Sequence, residues 1–595
     1  MESKFIWIRR SGLFLSLFVC FTYINAQETP TVNTIEPKAS EEKKVPDWIN
    51  NLKFGGLIRF RPEFKRNYDY SNKHTATVKA VASDGTTPIL DSTGKQVTYI
   101  QNKEADNVEF VGQKVQFSIS TNFSKDVEGK ITFQDARVWG GQTGSINGLG
   151  TANANTSESV DIREAWIEVK NLPMDLNLQA GRQIMAYGDL RLVAHLDWMN
   201  VGRSFDGLRF KHESKYLSSH AWGMVISEKD SDIVGNVSTA TAGDAYFTGW
   251  YNTLKLHEQF NMDLYYLGIH KTWTQANAPA YTIPNAQITV QDRTKQRDNL
   301  LTFGARLTNR TKKNEQGAMV ATIPFDWTFE YAIQTGKSGE EIQPAWDTTW
   351  GSSKGTIYNV YTPYDPTNPG ASSIIAKDRK LYKEKVRYDS FAFAFDAGYT
   401  IQKKFRIGVE YDVGSGDPNR ADGKKSTFQN LFHLNHVYYG IADQVSWQNM
   451  VGKSINLKVK LGEWGKLMLA FWHVDKHKSQ DAWYGVAGGS STTASTESKS
   501  NSRYVTTDVV TGRQVGSLGK HLFKEYDIQY DVDYKGVNWS LGGSAVYAGD
   551  AAKGTRDNTL EIQQSLQKTG TPPVLTALAF NPRATFFYIM MGYKF

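Results

Sequence analysis

His195, Asp197 and Ser204 crowd into the segment 183–203 and its edge, and together they have the group types of a nucleophile, a base and an orienting carboxylate. Catalysis by such groups needs a fixed hydrogen-bonded geometry. Nothing in the surrounding spacing supplies one, so the structural reading is preferred and no enzymatic activity is expected. His433 and His436, three apart, offer two imidazoles but no further ligand in pattern. In GSGDPNRADGK, Asp417, Asn419 and Asp422 offer the hard oxygen ligands that calcium takes. The same residue types are ordinary turn formers, and the spacing is not that of an EF-hand. Calcium is the one cofactor these residues suggest, and no other cofactor is expected.

The other chemistry is carried by arginines spread through an alternating pattern. Arg59 and Arg61 sit one residue apart from Phe60 in LIRFRPEF, and Arg209, Arg306 and Arg406 fall likewise in the charged phase of their segments. Apolar and charged residues that alternate with period two specify a strand with two unlike faces. Phe405, Ile407, Val409 and Tyr411 oppose Arg406, Glu410 and Asp412. Tyr526, Ile528, Tyr530 and Val532 oppose Glu525, Asp527, Gln529 and Asp531. At the carboxy terminus Phe587, Ile589, Met591, Tyr593 and Phe595 share one phase, and Lys594 lies in the other. About 18 such strands follow from Lys53 to Phe595. Short links (Ser124–Asp126, Gln402–Lys404, Lys535–Gly536) alternate with long ones, the longest at 337–387.

This arrangement points to an all-β, transmembrane antiparallel β-barrel with short periplasmic turns and long extracellular loops. In lipid a closed sheet alone leaves no unpaired edge. A charge on the lipid face costs about 2–4 kcal/mol near the midplane for Arg or Lys. The charged phase is therefore expected to line a wet lumen, and the last strand is expected to close the sheet against Lys53–Lys65. A solenoid or propeller would need a sequence repeat, and none is found.

The 595-residue chain is 40% hydrophobic and 13% aromatic, with a net charge of +7 and one cysteine. Residues 1–26 read as a signal peptide: Lys4, Arg9 and Arg10 precede the apolar run Leu13–Tyr23, with Ala26 at the cut. A lipoprotein anchor at Cys20 is the rival reading, opposed by Val19 beside it. Residues 27–52 read as a periplasmic lead-in and 53–595 as the barrel. After cleavage the charge is roughly +5, a mild bias without the basic arrays of a nucleic-acid binder. The expected surroundings are outer-membrane lipid, the barrel-assembly machinery and a solute.

IREAWIEVKNL, LQAGRQIMAYGDLRLV, DWMNVGRSFDGLRF, QDARVWG and the long stretch beginning VEYDVGSGDPNR resemble the alginate-export family of outer-membrane porins. The resemblance implies an 18-stranded barrel in the outer membrane of a diderm bacterium. It also implies an arginine-containing pore for passive diffusion of an anionic polysaccharide or other anionic solute. Matched to the family's motifs, its pore arginines fall on Arg163 and Arg182. Val413 stands before Gly-Ser-Gly where some members carry arginine, and Arg182 shares its phase with Leu176, Leu178 and Ala180. A general small-solute porin, and a surface adhesin or receptor barrel with a plugged lumen, remain as alternatives. The segments 183–203 and 337–387 are the expected inward-folding loops.

Overall fold

The computed structural model describes residues 47–68, 73–79, 90, 94–96, 98–104, 108–139, 158–227, 244–274, 281–283, 288–290, 295–314, 319–342, 384–418, 424–479, 481, 483–485, 506–507, 514–515, 519–551 and 581–595. The chain divides into two units, Met1–Asn50, which holds the short helix Asp47–Asn50, and Asn51–Phe595.

The second unit is a closed antiparallel barrel of 18 strands. In chain order they are β1 (Lys53–Arg66), β2 (Val108–Asn122), β3 (Val127–Val138), β4 (Glu158–Leu172), β5 (Leu176–Gln183) and β6 (Phe205–Glu213). There follow β7 (Leu217–Ser227), β8 (Ala245–His257), β9 (Phe260–Thr274), β10 (Lys295–Thr308), β11 (Phe325–Ile342) and β12 (Glu384–Ile401). The last six are β13 (Phe405–Gly414), β14 (Met450–Lys460), β15 (Lys466–Lys476), β16 (His521–Tyr534), β17 (Val537–Ala548) and β18 (Arg583–Lys594). Each strand pairs with its neighbours in sequence, and β1 pairs with β18 to close the ring.

The closing register sets Ile58 opposite Tyr593 and Phe64 opposite Phe587. These side chains lie on the outer face, where Phe587 and Tyr593 are exposed, whereas Phe586 and Tyr588 of the opposite phase are buried. Ile407, Ile455 and Ile528 continue the apolar outer surface around the ring. Period two thus does what the lipid requires: one phase meets hydrocarbon and the other faces inward.

The short links are tight turns. Lys404 N–H donates to Ile401 O at 2.9 Å, and the two residues between, Gln402 and Lys403, have φ of 51° and 56°. Lys535 and Gly536 also have positive φ, as a two-residue hairpin turn in a twisted sheet requires. On the other end, β11 and β12 run further than the sequence pattern suggests. Beyond an irregularity after Lys337, Glu341 pairs with Lys385 and Ile342 with Glu384. Residues 343–383, the heart of the expected loop 337–387, lie outside the described residues.

A basic wall and two inserted loops

Two connections fold back into the barrel. One is residues 184–204, between β5 and β6. The other is formed by residues 415–418 and 424–449, between β13 and β14, in a connection that the sequence pattern places with the outward loops. Its composition explains the difference. Phe428, Leu431, Phe432, Leu434, Tyr439, Ile441, Val445 and Trp447 are apolar or aromatic and buried, a load that a solvated loop does not carry. They pack against inward residues of the wall such as Phe205, Trp222, Phe247 and Trp472. At this level the lumen is therefore apolar as well as charged, which qualifies the expectation of a wet lumen lined by the charged phase.

The two loops are joined along their backbones. Phe432 N–H donates to Leu192 O at 2.9 Å, Ala194 N–H to Phe432 O at 2.7 Å and Leu434 N–H to Leu190 O at 3.0 Å. Arg203, on the first loop, donates to Ala194 O and His433 O. Burial and the neighbouring Arg163 pull the Arg203 guanidinium down to about 10, so it remains charged.

Wall residues then fasten the loops on several sides. On β1, Arg59 donates to Asp197 O at 2.7 Å and to Trp198 O, Met199 O and Asn200 Oδ1 at 3.2 Å each. Arg61 donates to Trp198 O and pairs with Glu63 at 2.6 Å. Its guanidinium lies 3.8 Å from the Trp198 ring centre, and His436 stacks on Trp198 with centroids 3.4 Å apart. Lys114 of β2 reaches Asp197 at 3.6 Å, and Arg163 of β4 donates to Ser204 Oγ at 3.0 Å and His195 O at 2.9 Å.

Across the barrel the contacts have the opposite polarity. Arg191 of the first loop donates to Glu410 at 2.5 Å and lies 3.1 Å from Asp412, both on β13. Tyr438 covers its guanidinium at 3.7 Å. Burial opposes the charge, yet Asp412 and Glu410 raise the Arg191 pKa further above its ordinary value. Arg306 on β10 bridges Asp189 of the loop (2.6 Å) and Asp263 of β9 (2.7 Å). Burial alone would raise the Asp189 pKa, but Arg306 overrides it and holds the carboxylate at about 2. On β16, Glu525 accepts the Ala442 N–H at 2.8 Å.

The result is an electrically divided interior. On the β1–β4 side Glu164 and Glu168 are paired with Lys130 and Lys211, and among the other charges Arg59, Arg61, Lys114, Arg163 and Arg203 outnumber Asp197 and Glu63. Glu410, Asp412, Asp263, Asp189 and Glu330 outnumber Arg191 and Arg306 on the β9–β13 side. Asp197 is the outlier in burial, with its side chain 52% exposed among the basic groups.

The structure separates the sequence candidates. It brings Arg59, Arg61 and Arg163 together and puts Arg306 on the facing wall. Arg209 faces inward at Gln179 and Tyr187. Arg406 belongs to a separate network near the short turns, donating to Asp326 at 2.7 Å and to Asp396 at 3.0 Å, beside Arg310. Arg182 does not line the lumen. It points outward beside Asp206 at 3.8 Å, in the phase of the exposed Leu208 and Phe210. Its apolar phase-mates already carried that signal.

Ser204 Oγ donates to Arg163 O at 2.7 Å, and His195 serves Arg163 through its carbonyl, so both have structural work. His433 Nδ1 meets Asn430 O, whereas His436 Nδ1 meets Asp443. Asp417 N–H donates to Asp481 at 2.8 Å. Asn419 and Asp422 lie outside the described residues. Arg191 and Arg203 carry no strand pattern and were not among the sequence candidates.

One sequence profile, described as alginate export, matches residues 95–563, well over half of the chain. The chain belongs to the alginate export family. This alginate-export barrel is accordingly an outer-membrane pore protein. No curated protein matches it. Solved structures similar to it include OccAB1 of Acinetobacter baumannii, with 12% identity, a TM-score of 0.44, and 91% of this chain and 96% of that chain covered. OccK11 (OpdR) of Pseudomonas aeruginosa is similar at 8% identity and a TM-score of 0.42, covering 91% and 95%. OpdK of Pseudomonas aeruginosa with vanillate is similar at 10% identity and a TM-score of 0.41, covering 92% and 99%.

Proposed function

We propose that this barrel is a passive, non-enzymatic pore that conducts an anionic polysaccharide, or another anionic solute, across the outer membrane of a diderm bacterium. The observation that carries the reading is the convergence of Arg59, Arg61, Lys114 and Arg163 on one side of the level where the loops enter. A narrow passage between low-dielectric walls focuses the field of such groups and selects by charge. The carboxylates facing them keep an anion from binding too tightly to leave. The extracellular end is the one with the long connections.

The test is the reversal potential of single channels under a salt gradient. Anion preference that falls in Arg59→Ala and Arg163→Ala supports the reading, and cation preference sinks it. Absence of conductance favours the second reading, a receptor or adhesin barrel. That alternative draws on one observation: both inserted loops are fastened to the wall on several sides.

A further inference from the structure

Outside the lumen, the upper ends of β15 and β16 bring three metal-type side chains to one point. His473 Nε2 lies 3.1 Å from Asp475 Oδ1, and His521 Nδ1 lies 2.9 Å from the same oxygen. The two imidazoles stack with centroids 4.4 Å apart and planes at 20°. All three ligand atoms lie within 4.8 Å of one another, the one such grouping among the described residues.

The side chains face outward, and the sheet geometry says why. His473 and Asp475 continue the exposed phase of Leu469 and Phe471, while Trp472, Val474 and Lys476 are buried. On β16 the exposed phase runs through Ile528, Tyr526 and Lys524, so an unbroken strand would next expose Leu522. Instead the register shifts between Val474 and Asp475: Val474 pairs with Phe523, but Asp475 pairs with His521. The extra residue leaves Leu522 fully buried and turns His521 onto the outer face. Bulges re-aim side chains in this way. The His521 backbone is further held by its N–H bond to Asp550 at 2.8 Å.

We infer that His473, Asp475 and His521 form a binding site for a borderline-soft divalent transition metal, of the zinc type, on the outer wall at the long-loop rim. Zinc bonds of about 2.0–2.1 Å place tetrahedral ligand atoms roughly 3.3 Å apart. Binding one ion opens the two contacts to Asp475 by a few tenths of an ångström and requires the stacked rings to turn so that both nitrogens aim at it. Two nitrogens and one carboxylate suit zinc, copper or nickel and suit calcium or magnesium poorly. Each ring now donates an N–H to the carboxylate. Metal binding moves that proton to the ring's other nitrogen, so the bonds balance without a co-reactant. The side chains are 20–32% exposed, which admits an ion and leaves a coordination position for water or a headgroup oxygen. Lys453 and Lys524 flank His473 across the ladder and add a positive field, so the nitrogen donors rather than bulk charge must hold the metal.

The experiment uses the full barrel, purified in detergent and stripped of metal, with equilibrium dialysis against zinc and a cobalt(II) absorption spectrum as a second readout. One zinc per barrel is expected, with the visible ligand-field bands of a low-symmetry cobalt site. His521→Ala and Asp475→Ala should weaken binding by more than the roughly 10–100-fold that even outer-shell changes cost. His257→Ala, at a short turn, should bind as the parent does. If a variant fails to fold, zinc protection of the parent's histidines from acylating reagent replaces it, and protection absent at His473 and His521 overturns the proposal. So does absence of zinc binding by the parent, or full binding by His521→Ala. Zinc should leave conductance unchanged, because the site is on the outer wall.

Discussion

Arg191 and Glu410 meet at 2.5 Å, one on a loop inside the barrel and the other on the wall strand β13. Both are almost completely buried, and Asp412 stands beside them. Removing one partner of such a pair leaves an uncompensated buried charge, at a cost of about 3–5 kcal/mol. Arg191→Ala should therefore loosen the loop 184–204. Larger or noisier single-channel currents and a lower thermal midpoint are expected. Currents and melting identical to the parent would show that this contact does not hold the loop.

Gly440 offers a way to release the second inserted loop. Its φ is +94°, and a Cβ there would lie 2.3–2.4 Å from the Glu525 carboxyl group. Gly440→Ala meets both the left-handed penalty of about 1–2 kcal/mol and this clash. The segment 440–442 should leave β16, detected as faster protease cleavage within 415–449. Glu525→Ala in the same background should restore part of the protection by opening space, although it also removes the acceptor of Ala442 N–H.

Acid should act on the first loop in two steps. Burial lowers the His195 pKa below 6.5, and Arg163, Lys114 and Arg203 push the same way against Asp197. The folded loop thus favours neutral His195. Its contribution is complete above about pH 6.5 and is lost as pH falls below that value. Asp189, at about 2, is depressed relative to an ordinary carboxylate near 3.9, so its contribution is lost only below about pH 4. His195→Gln should remove the first step and leave the second, as read from conductance noise between pH 8 and pH 3.

The lipid face makes a separate demand. Ile589 lies near the middle of β18, opposite Leu541 of β17, in the outward phase. Ile589→Arg should destabilise the membrane-inserted barrel by about 2–4 kcal/mol. Urea unfolding from lipid vesicles measures this. An unchanged midpoint would mean that this strand does not face hydrocarbon.

The strand count, the closing pair β1–β18 and the outward set Phe587, Ile589, Met591 and Tyr593 were legible because they depend on a local alternation. The basic group Arg59, Arg61 and Arg163 was legible in part, through phase for the first two and family motif for the third. Arg182 shows how motif and phase compete: the motif pointed to the pore, and its apolar phase-mates pointed outward. His521 shows where phase itself fails, since one extra residue in a strand exchanges the two faces.

The sequence by itself determined that this chain makes a barrel, because hydrocarbon outside and water or protein inside impose period two on every wall strand. It determined the inward direction of most wall charges for the same reason. Only the tertiary structure decided what those charges do. Arg59 and Arg163 bind carbonyls of the loop 184–204, Arg191 finds Glu410 more than two hundred residues away, and the aromatic run Phe428–Trp447 enters the lumen. These contacts join segments distant in the chain and irregular in backbone, so no local period encodes them. They arise from burying apolar surface and satisfying buried polar groups together, which is settled only once the barrel has closed around them.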